Sequence, residues 1–451
     1  MKITTIEKNL TEGSVAKKLI QFALPFMLSN LIQTLYNVTD MLIVGNFIGT
    51  TGISGVNIGG QVTFIITNIV IGLSVGGTVV IAQFLGSGDR KSMSESIKTL
   101  ITFLLFAAVI FTVVMMLLSD VILRLIQTPE ESYRQAREYL NVTLMGTVFI
   151  FGYNAFSAIL RGLGDSKRPL FFVSIACIIN ILLDLLFVGV FRMEAKGAAF
   201  ATIISQAISM FSCIIFLKRS SFDFDFKLSS FRFYKNRFFM LMRVGIPISI
   251  QNVIANISFL VLTAIANGMG VSESAAIGII SKYNGFAILP AIAVASSVSA
   301  MVAQNIGAGM INRAKKTFHV GFILSFSVSL AVYILTRLFP EKILALFGDD
   351  PGMIAAGVEY IHTFSLDYLF VPAVFCLNGL ITGSGHTIVS SFGGIMSSLG
   401  FRIPLAVLFG VILDKGMWGL GLAAPLASVG TGLILFVYYL TGKWKTSTVV
   451  R

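Results

Sequence analysis

Charge is what this sequence has least of. Only 12% of its 451 residues are Asp, Glu, Lys or Arg, about half the share usual in soluble globular proteins. A soluble domain of ordinary composition is thereby excluded. Histidine and cysteine occur three times each. His319, His362 and His386 are scattered, with no spacing suited to a metal centre. Cys177, Cys213 and Cys376 all fall in apolar stretches without paired spacing. They read as core residues and say nothing about redox compartment.

Nucleotide and catalytic motifs are missing as well. The stretch GSGDRKS at 86–92 lacks the spacing of a phosphate loop, and no strand precedes it. No ATP-binding machinery is legible, so any pumping has to draw on an ion gradient. Gly162-Leu163-Gly164-Asp165 has the form of an intramembrane protease motif, but Lys167 and Arg168 follow at once and no Tyr-Asp pair stands elsewhere. Asp165 is expected to cap a loop and pair with Lys or Arg. The Asn-x-Ser/Thr triplets at Asn37, Asn141 and Asn256 lie inside apolar runs. Without a catalytic pair, an enzyme is not expected.

What the chain has in abundance is apolar length. Hydrophobic residues make up 55% of it, with a mean hydropathy of +0.88. Cutting at polar and Gly/Pro punctuation gives twelve spans, near 15–47, 53–84, 94–119, 131–161, 168–191, 197–217, 238–267, 273–305, 312–338, 352–382, 388–411 and 417–441. An all-α polytopic membrane protein is the expected fold class. The polar start carrying Lys2, Lys8, Lys17 and Lys18 runs into the first span without a small-residue cleavage site, which predicts a retained helix. With that start inside, cytoplasmic segments hold twenty-three Lys and Arg and outer segments eight. The bias predicts both termini in the cytoplasm. The net charge of +12 is then topological, and nucleic acid is not an expected partner.

The two halves repeat. Ala82-Gln83 with Gly86 and Gly88 recurs as Ala303-Gln304 with Gly307 and Gly309, and Gly162 and Gly164 recur as Gly383 and Gly385. Pro25 matches Pro247, and Gly197 matches Gly419. Six spans per repeat give both halves the same orientation, related by an axis along the membrane normal. The expected organisation is a lobe over 1–217, a basic cytoplasmic linker over 218–237 and a lobe over 238–451. Two six-helix bundles of this kind suit alternating access, and so a transporter.

Of 21 acidic residues, only Asp40, Asp184 and Asp367 sit well within spans. A carboxylate in hydrocarbon costs about 3 kcal/mol or more and marks a polar path. At about 1.5 Å per residue, Asp40 lies about 13 Å, Asp184 about 10 Å and Thr202 about 9 Å from the outer ends of their helices. Asn180 is one turn below Asp184 on the same face. These hard oxygen donors suit a small cation such as sodium. Burial and repulsion between two carboxylates equally suit uptake of a proton, and the sequence leaves the two open. The second half has no such acids at matching positions. It holds instead Gln251, Asn252, Lys282, Asp367 and Arg402, which are expected to form a buried polar network. Pro25 lies 15 residues before Asp40 in the same helix and is a candidate hinge. Tyr36, Asn37, Tyr153 and Asn154 fall where a substrate cavity would be lined, among aromatics such as Phe149, Phe151 and Phe156.

Together these features are similar to those of the multidrug and toxic compound extrusion (MATE) family. The resemblance rests on the six-plus-six repeat, an early proline with Asp40 in span 1, AQFLGSGD after span 2, RGLGDSKRP after span 4, N-x-x-x-D in span 5 and GAAFAT in span 6. It implies an ion-coupled antiporter exporting small cationic or amphipathic organic compounds from a cytoplasmic membrane, acting as a monomer and without a cofactor. It further implies that Asp40, Asn180, Asp184 and Thr202 form the cation or proton site of the DNA-damage-inducible subfamily, with helix 1 bending at Pro25. The norfloxacin-exporter subfamily carries carboxylates in the second lobe, where only Asp367 is available here. The alternative is a flippase of lipid-linked sugars, which would favour a basic cavity.

Overall fold

The structure, a computed structural model, describes residues 7–220, 227 and 230–450. Among these residues the chain is helical and without strands. The first half runs α1 (Val15–Ile48), α2 (Thr50–Ser87), α3 (Arg90–Leu125), α4 (Glu130–Met145), α5 (Thr147–Gly162), α6 (Lys167–Asp184) and α7 (Glu194–Lys218). The second runs α8 (Lys235–Met269), α9 (Val271–Ala287), α10 (Leu289–Gly307), α11 (Ile311–Leu338), α12 (Pro340–Ala345), α13 (Pro351–Phe364), α14 (Asp367–Gly383), α15 (Thr387–Ile395), α16 (Ile403–Ala406) and α17 (Gly416–Leu440). Among the described residues, ten helices or helix runs are long and apolar enough to cross a membrane. Two bent pairs, α4 with α5 at 49° and α13 with α14 at 48°, bring the number to twelve.

Proline explains where the halves diverge. The expected span 273–305 is split at Ile288, because Pro290 opens α10; the corresponding α2 has no proline and is continuous. The span after α14 is interrupted by π-helical turns at Met396–Arg402 and Val407–Ile412. Its counterpart α6 is interrupted only once, at Leu185–Val190. Pro404 follows the extra turn, and its missing N–H removes a bond that an α-helix would need.

The chain packs into two compact units whose bounds differ from the expected lobes. The first is built mainly from Leu28–Leu85 and Asp89–Gly245, the second from Leu10–Met27 and the chain from Ile246 onward. In the second unit, Val15, Leu19 and Phe22 of α1 share a core with Val298, Met301 and Leu380. In the first unit, the start of α8 is held by Arg237, whose guanidinium donates to Glu95 (3.0 Å) and Ser92 (2.6 Å), while the Tyr234 N–H donates to Thr99 (3.2 Å). The change of unit falls at Met27–Leu28 and Gly245–Ile246, beside Pro25 and Pro247. Much of the expected linker, residues 221–226, 228 and 229, lies outside the described residues.

Within the first unit, α7 packs against α4, α5 and α6. Its buried Gly197, Ala198, Ala199 and Ala201 keep the helix surface flat, which is how membrane helices approach closely. On α2, a Cβ at Gly59 would stand 2.8 Å from a ring carbon of Tyr139. The glycine therefore lets α4 bring that tyrosine inward, toward α7.

Candidate functional site

The acidic residues expected to act together do come together, inside the first unit. Asp40 on α1 is 8% exposed, and Asn180 and Asp184 on α6 are 1% and 0% exposed. The two carboxyl groups stand close enough to interact directly. Two carboxyls so placed favour holding one proton between them or a cation beside them. Asn180 is oriented with its amide nitrogen donating to Asp184 Oδ2 (2.8 Å) and its oxygen accepting from the Thr202 N–H (3.2 Å). The Thr202 hydroxyl in turn bonds the Tyr36 hydroxyl at 3.1 Å. One oxygen each of Asp40 and Asp184 has no partner.

Local sequence explains the placement. Asn180 and Asp184 are one turn apart on α6, and Asp184 is the last α-helical residue before the π turn Leu185–Val190. A π turn resets which residues face inward and often marks a functional position. Beside the site, Ile43, Val44, Tyr139, Val142, Val188 and the alanines of α7 form an apolar cluster. That cluster seals the carboxyl pair on one side.

Tyr139 of α4, which stands near Thr202 and the two carboxyls, is a site residue the sequence did not disclose. It sits among Arg137, Glu138 and Leu140 with no polar pattern of its own. Two residues expected to line a substrate cavity hydrogen-bond to backbone carbonyls of the first unit. The Tyr153 hydroxyl, buried in α5, donates to the Pro169 carbonyl (3.2 Å), and the Asn154 amide donates back to the Ile150 carbonyl of its own helix (2.8 Å). Asn37 is exposed on α1, and Tyr36 belongs to the acidic site. Pro25 lies buried inside α1.

Outside the site, Asp165 is the loop cap that its neighbours foretold. It accepts from the Lys167 N–H and the Lys8 ammonium, each at 3.0 Å, and pairs with Arg168. At the turn after α2, Asp89 accepts from the Ser92 N–H (3.0 Å) as the cap of α3. Those bonds, from the Ser92 side chain and backbone, hold its carboxyl below the usual range.

The expected second-half network is only partly assembled. Arg402 donates to the Ser258 hydroxyl (3.1 Å), and its guanidinium lies 4.4 Å from the Phe259 ring centre. Asp367 lies near Ser428 and within electrostatic reach of Arg402, but no ion pair joins it to Arg402 among the described residues. Lys282 is exposed on α9, and Gln251 packs against Gly394. The Asn252 carbonyl accepts from Asn256 (2.8 Å) within α8.

Comparison with known proteins agrees with this architecture. The MatE family model matches residues 25–186 and again 247–408. "Probable multidrug resistance protein YpnP" of Bacillus subtilis is 29% identical over 97% of both chains. "Probable multidrug resistance protein NorM" of Thermotoga maritima is 28% identical, over 97% of this chain and 94% of its own. A crystal structure of MATE in complex with MaL6 superposes with a TM-score of 0.91 at 22% identity, over 97% of this chain and 98% of that one.

Proposed function

Since the chain belongs to the MatE family of multi-pass membrane transporters, we propose that it is a proton-coupled antiporter exporting small amphipathic, mostly cationic organic compounds. The observation that carries the coupling is the contact between the Asp40 and Asp184 carboxyl groups. Two buried carboxyls that interact directly favour holding one proton between them. A sodium ion would want several oxygen ligands, and here the Asn180 oxygen and Thr202 hydroxyl are already engaged. Among the described site residues, one oxygen of each carboxyl has no partner. The arrangement therefore suits a shared proton better than a bound metal.

Loss of that proton would set two buried negative charges against each other and part α1 from α6. The organic cation, binding when the pair is ionised, and the proton would then compete for one charge state, which is the essence of exchange. Pro25, where α1 passes from one compact unit to the other, is the place for that helix to bend. The lysine and arginine bias puts both termini on the cytoplasmic side of a cytoplasmic membrane, with a monomer as the working unit.

The test is ethidium efflux from vesicles under separately imposed proton and sodium gradients. A proton gradient alone should drive it in the wild type, and Asp40→Asn and Asp184→Asn should each lower the rate by more than about tenfold. Full efflux from either variant, or efflux driven by sodium alone at equal pH, would overturn the assignment.

A further inference from the structure

The turns after α2 and α10, and those after α5 and α14, repeat one another in backbone and differ in charge. Left-handed glycines set the register, Gly88 on Gly309 and Gly164 on Gly385. In it, Asp89 meets Met310, Glu95 meets Lys316 and Asp165 meets His386. The first unit uses all three of its carboxylates. Asp89 caps α3, Glu95 accepts from Arg237, and Asp165 takes Lys8 and Arg168.

The second unit has nothing in their place. No Asp or Glu occurs in 274–340, 368–413 or 415–451, the stretches that supply its turns after α10 and α14 and the end of α17. Lys315 and Lys316 stand at the start of α11, and Lys443 and Lys445 follow α17, all of them exposed. None of the four ammonium groups has a hydrogen bond or ion pair among the described residues.

Aromatic rings hold the two pairs side by side. The Phe318 ring of α11 lies 5.4 Å from Tyr439, and Tyr439 stacks on Trp444 at 5.6 Å and 9°. Trp444, set between the two C-terminal lysines, is 1% exposed and shares a core with Ala314 of α11. Its indole N–H donates to the Tyr439 carbonyl (3.1 Å). The turn that carries it is fixed at both ends. Gly442 stops α17 in the left-handed region, with φ of 71°. Beyond it, the Thr448 hydroxyl donates to the Gly385 carbonyl and His386 Nε2 to the Thr446 carbonyl, each at 2.9 Å.

Positive charge gathers near the cytoplasmic ends of membrane helices in any case. That bias places lysines one by one. It does not call for a buried row of rings that holds four of them together without counter-charge. Lysines clustered just beyond a membrane helix, with aromatic rings beside them, fit the phosphodiesters of anionic lipids.

We propose that Lys315, Lys316, Lys443 and Lys445 form a binding surface for the phosphodiester head groups of anionic phospholipids, which docks the second unit on the leaflet. From the transport reading the inference takes only the placement of the chain termini on the cytoplasmic side. The carboxyl pair and the exported compound have no part in it.

The test titrates the full-length protein, in neutral detergent micelles, with phosphatidylglycerol or phosphatidylcholine labelled on one acyl chain, and reads fluorescence anisotropy. The wild type should bind phosphatidylglycerol at least about tenfold more tightly, since each lysine at the head groups adds to the attraction. With Lys315→Gln, Lys316→Gln, Lys443→Gln and Lys445→Gln combined, the two affinities should come within about twofold of each other. Each pair changed alone should lose part of the preference. Arginine at all four positions should keep it, and Lys342→Gln with Lys415→Gln, elsewhere on the unit, should leave it as it is. A wild type without the preference, or a quadruple glutamine variant that retains it, would overturn the proposal. So would equal loss in the Lys342/Lys415 variant, which would show a general effect of charge. Release of the lipid by inorganic phosphate at the same concentration would assign the surface to a soluble anion and overturn it too. Micelles have no sides, so failure here is distinct from a reversed orientation, and also from failure of the efflux test.

Discussion

Asp165 and Asp184 are both 0% exposed, yet their surroundings could hardly differ more. Asp165 is met by Lys8, Arg168 and a backbone N–H, so its charge is compensated on every side. Asp184 has one amide donor, a second carboxyl for a neighbour and an oxygen with no partner. The first arrangement holds structure together; the second stores an unfavourable interaction that a proton relieves. Asparagine should separate the two roles. Asp165→Asn abandons two cations and should lower stability by about 1–3 kcal/mol, whereas Asp184→Asn removes a buried charge conflict and should leave the thermal midpoint equal or higher. Thermal unfolding of both purified variants decides it, and the opposite order would refute this division. From sequence, Asp184 was legible because a carboxylate in an apolar run has to be explained, and Asp165 because two basic residues follow it. Tyr139 was not, since a tyrosine near a helix end carries no such anomaly.

At the scale of elements, glycine and proline carried most of the readable signal, but not its meaning. Gly164 and Gly385 repeat because each turn needs a left-handed residue, with φ of 86° and 90°. Gly162 and Gly383 repeat for another reason, close packing: a Cβ would stand 3.0 Å from the Thr78 carbonyl in one and 2.5 Å from the Ser299 carbonyl in the other. Sequence showed the pairs; only packing separates turn from contact. The prolines divide similarly, since Pro290 breaks a span and Pro404 follows a π turn, whereas Pro25 and Pro247 sit within unbroken helices. A proline in a helix interior costs about 3 kcal/mol relative to alanine, a cost that a hinge would justify. Pro25→Ala should therefore raise the thermal midpoint while slowing ethidium efflux at least several-fold, with the Asp40–Asp184 pair untouched. Unchanged efflux would remove the hinge.

The whole molecule was the most legible scale in one respect and the least in another. Twelve spans follow from apolar length alone, because hydrocarbon leaves a chain little choice but helices. The bounds of the compact units do not, because they depend on where α1 and α8 change neighbours, and a helix continuous in sequence gives no sign of that. Orientation rests on the charge bias and can be read directly. Lys445, after α17, and Lys415, before it, are both exposed, and α17 is long enough to cross the membrane between them. Cysteine at each should label from opposite sides. The native cysteines give little background, since Cys213 and Cys376 are buried and Cys177 only partly exposed. An impermeant maleimide should mark Lys415→Cys in intact cells and leave Lys445→Cys unmarked until the membrane is opened. If Lys445→Cys reacts in intact cells and Lys415→Cys does not, the protein is inverted. The direction of exchange would be unchanged, because the proton gradient and not the orientation sets it, but the carboxyl pair would lie nearer the cytoplasmic face and would have to release its proton along the shorter path.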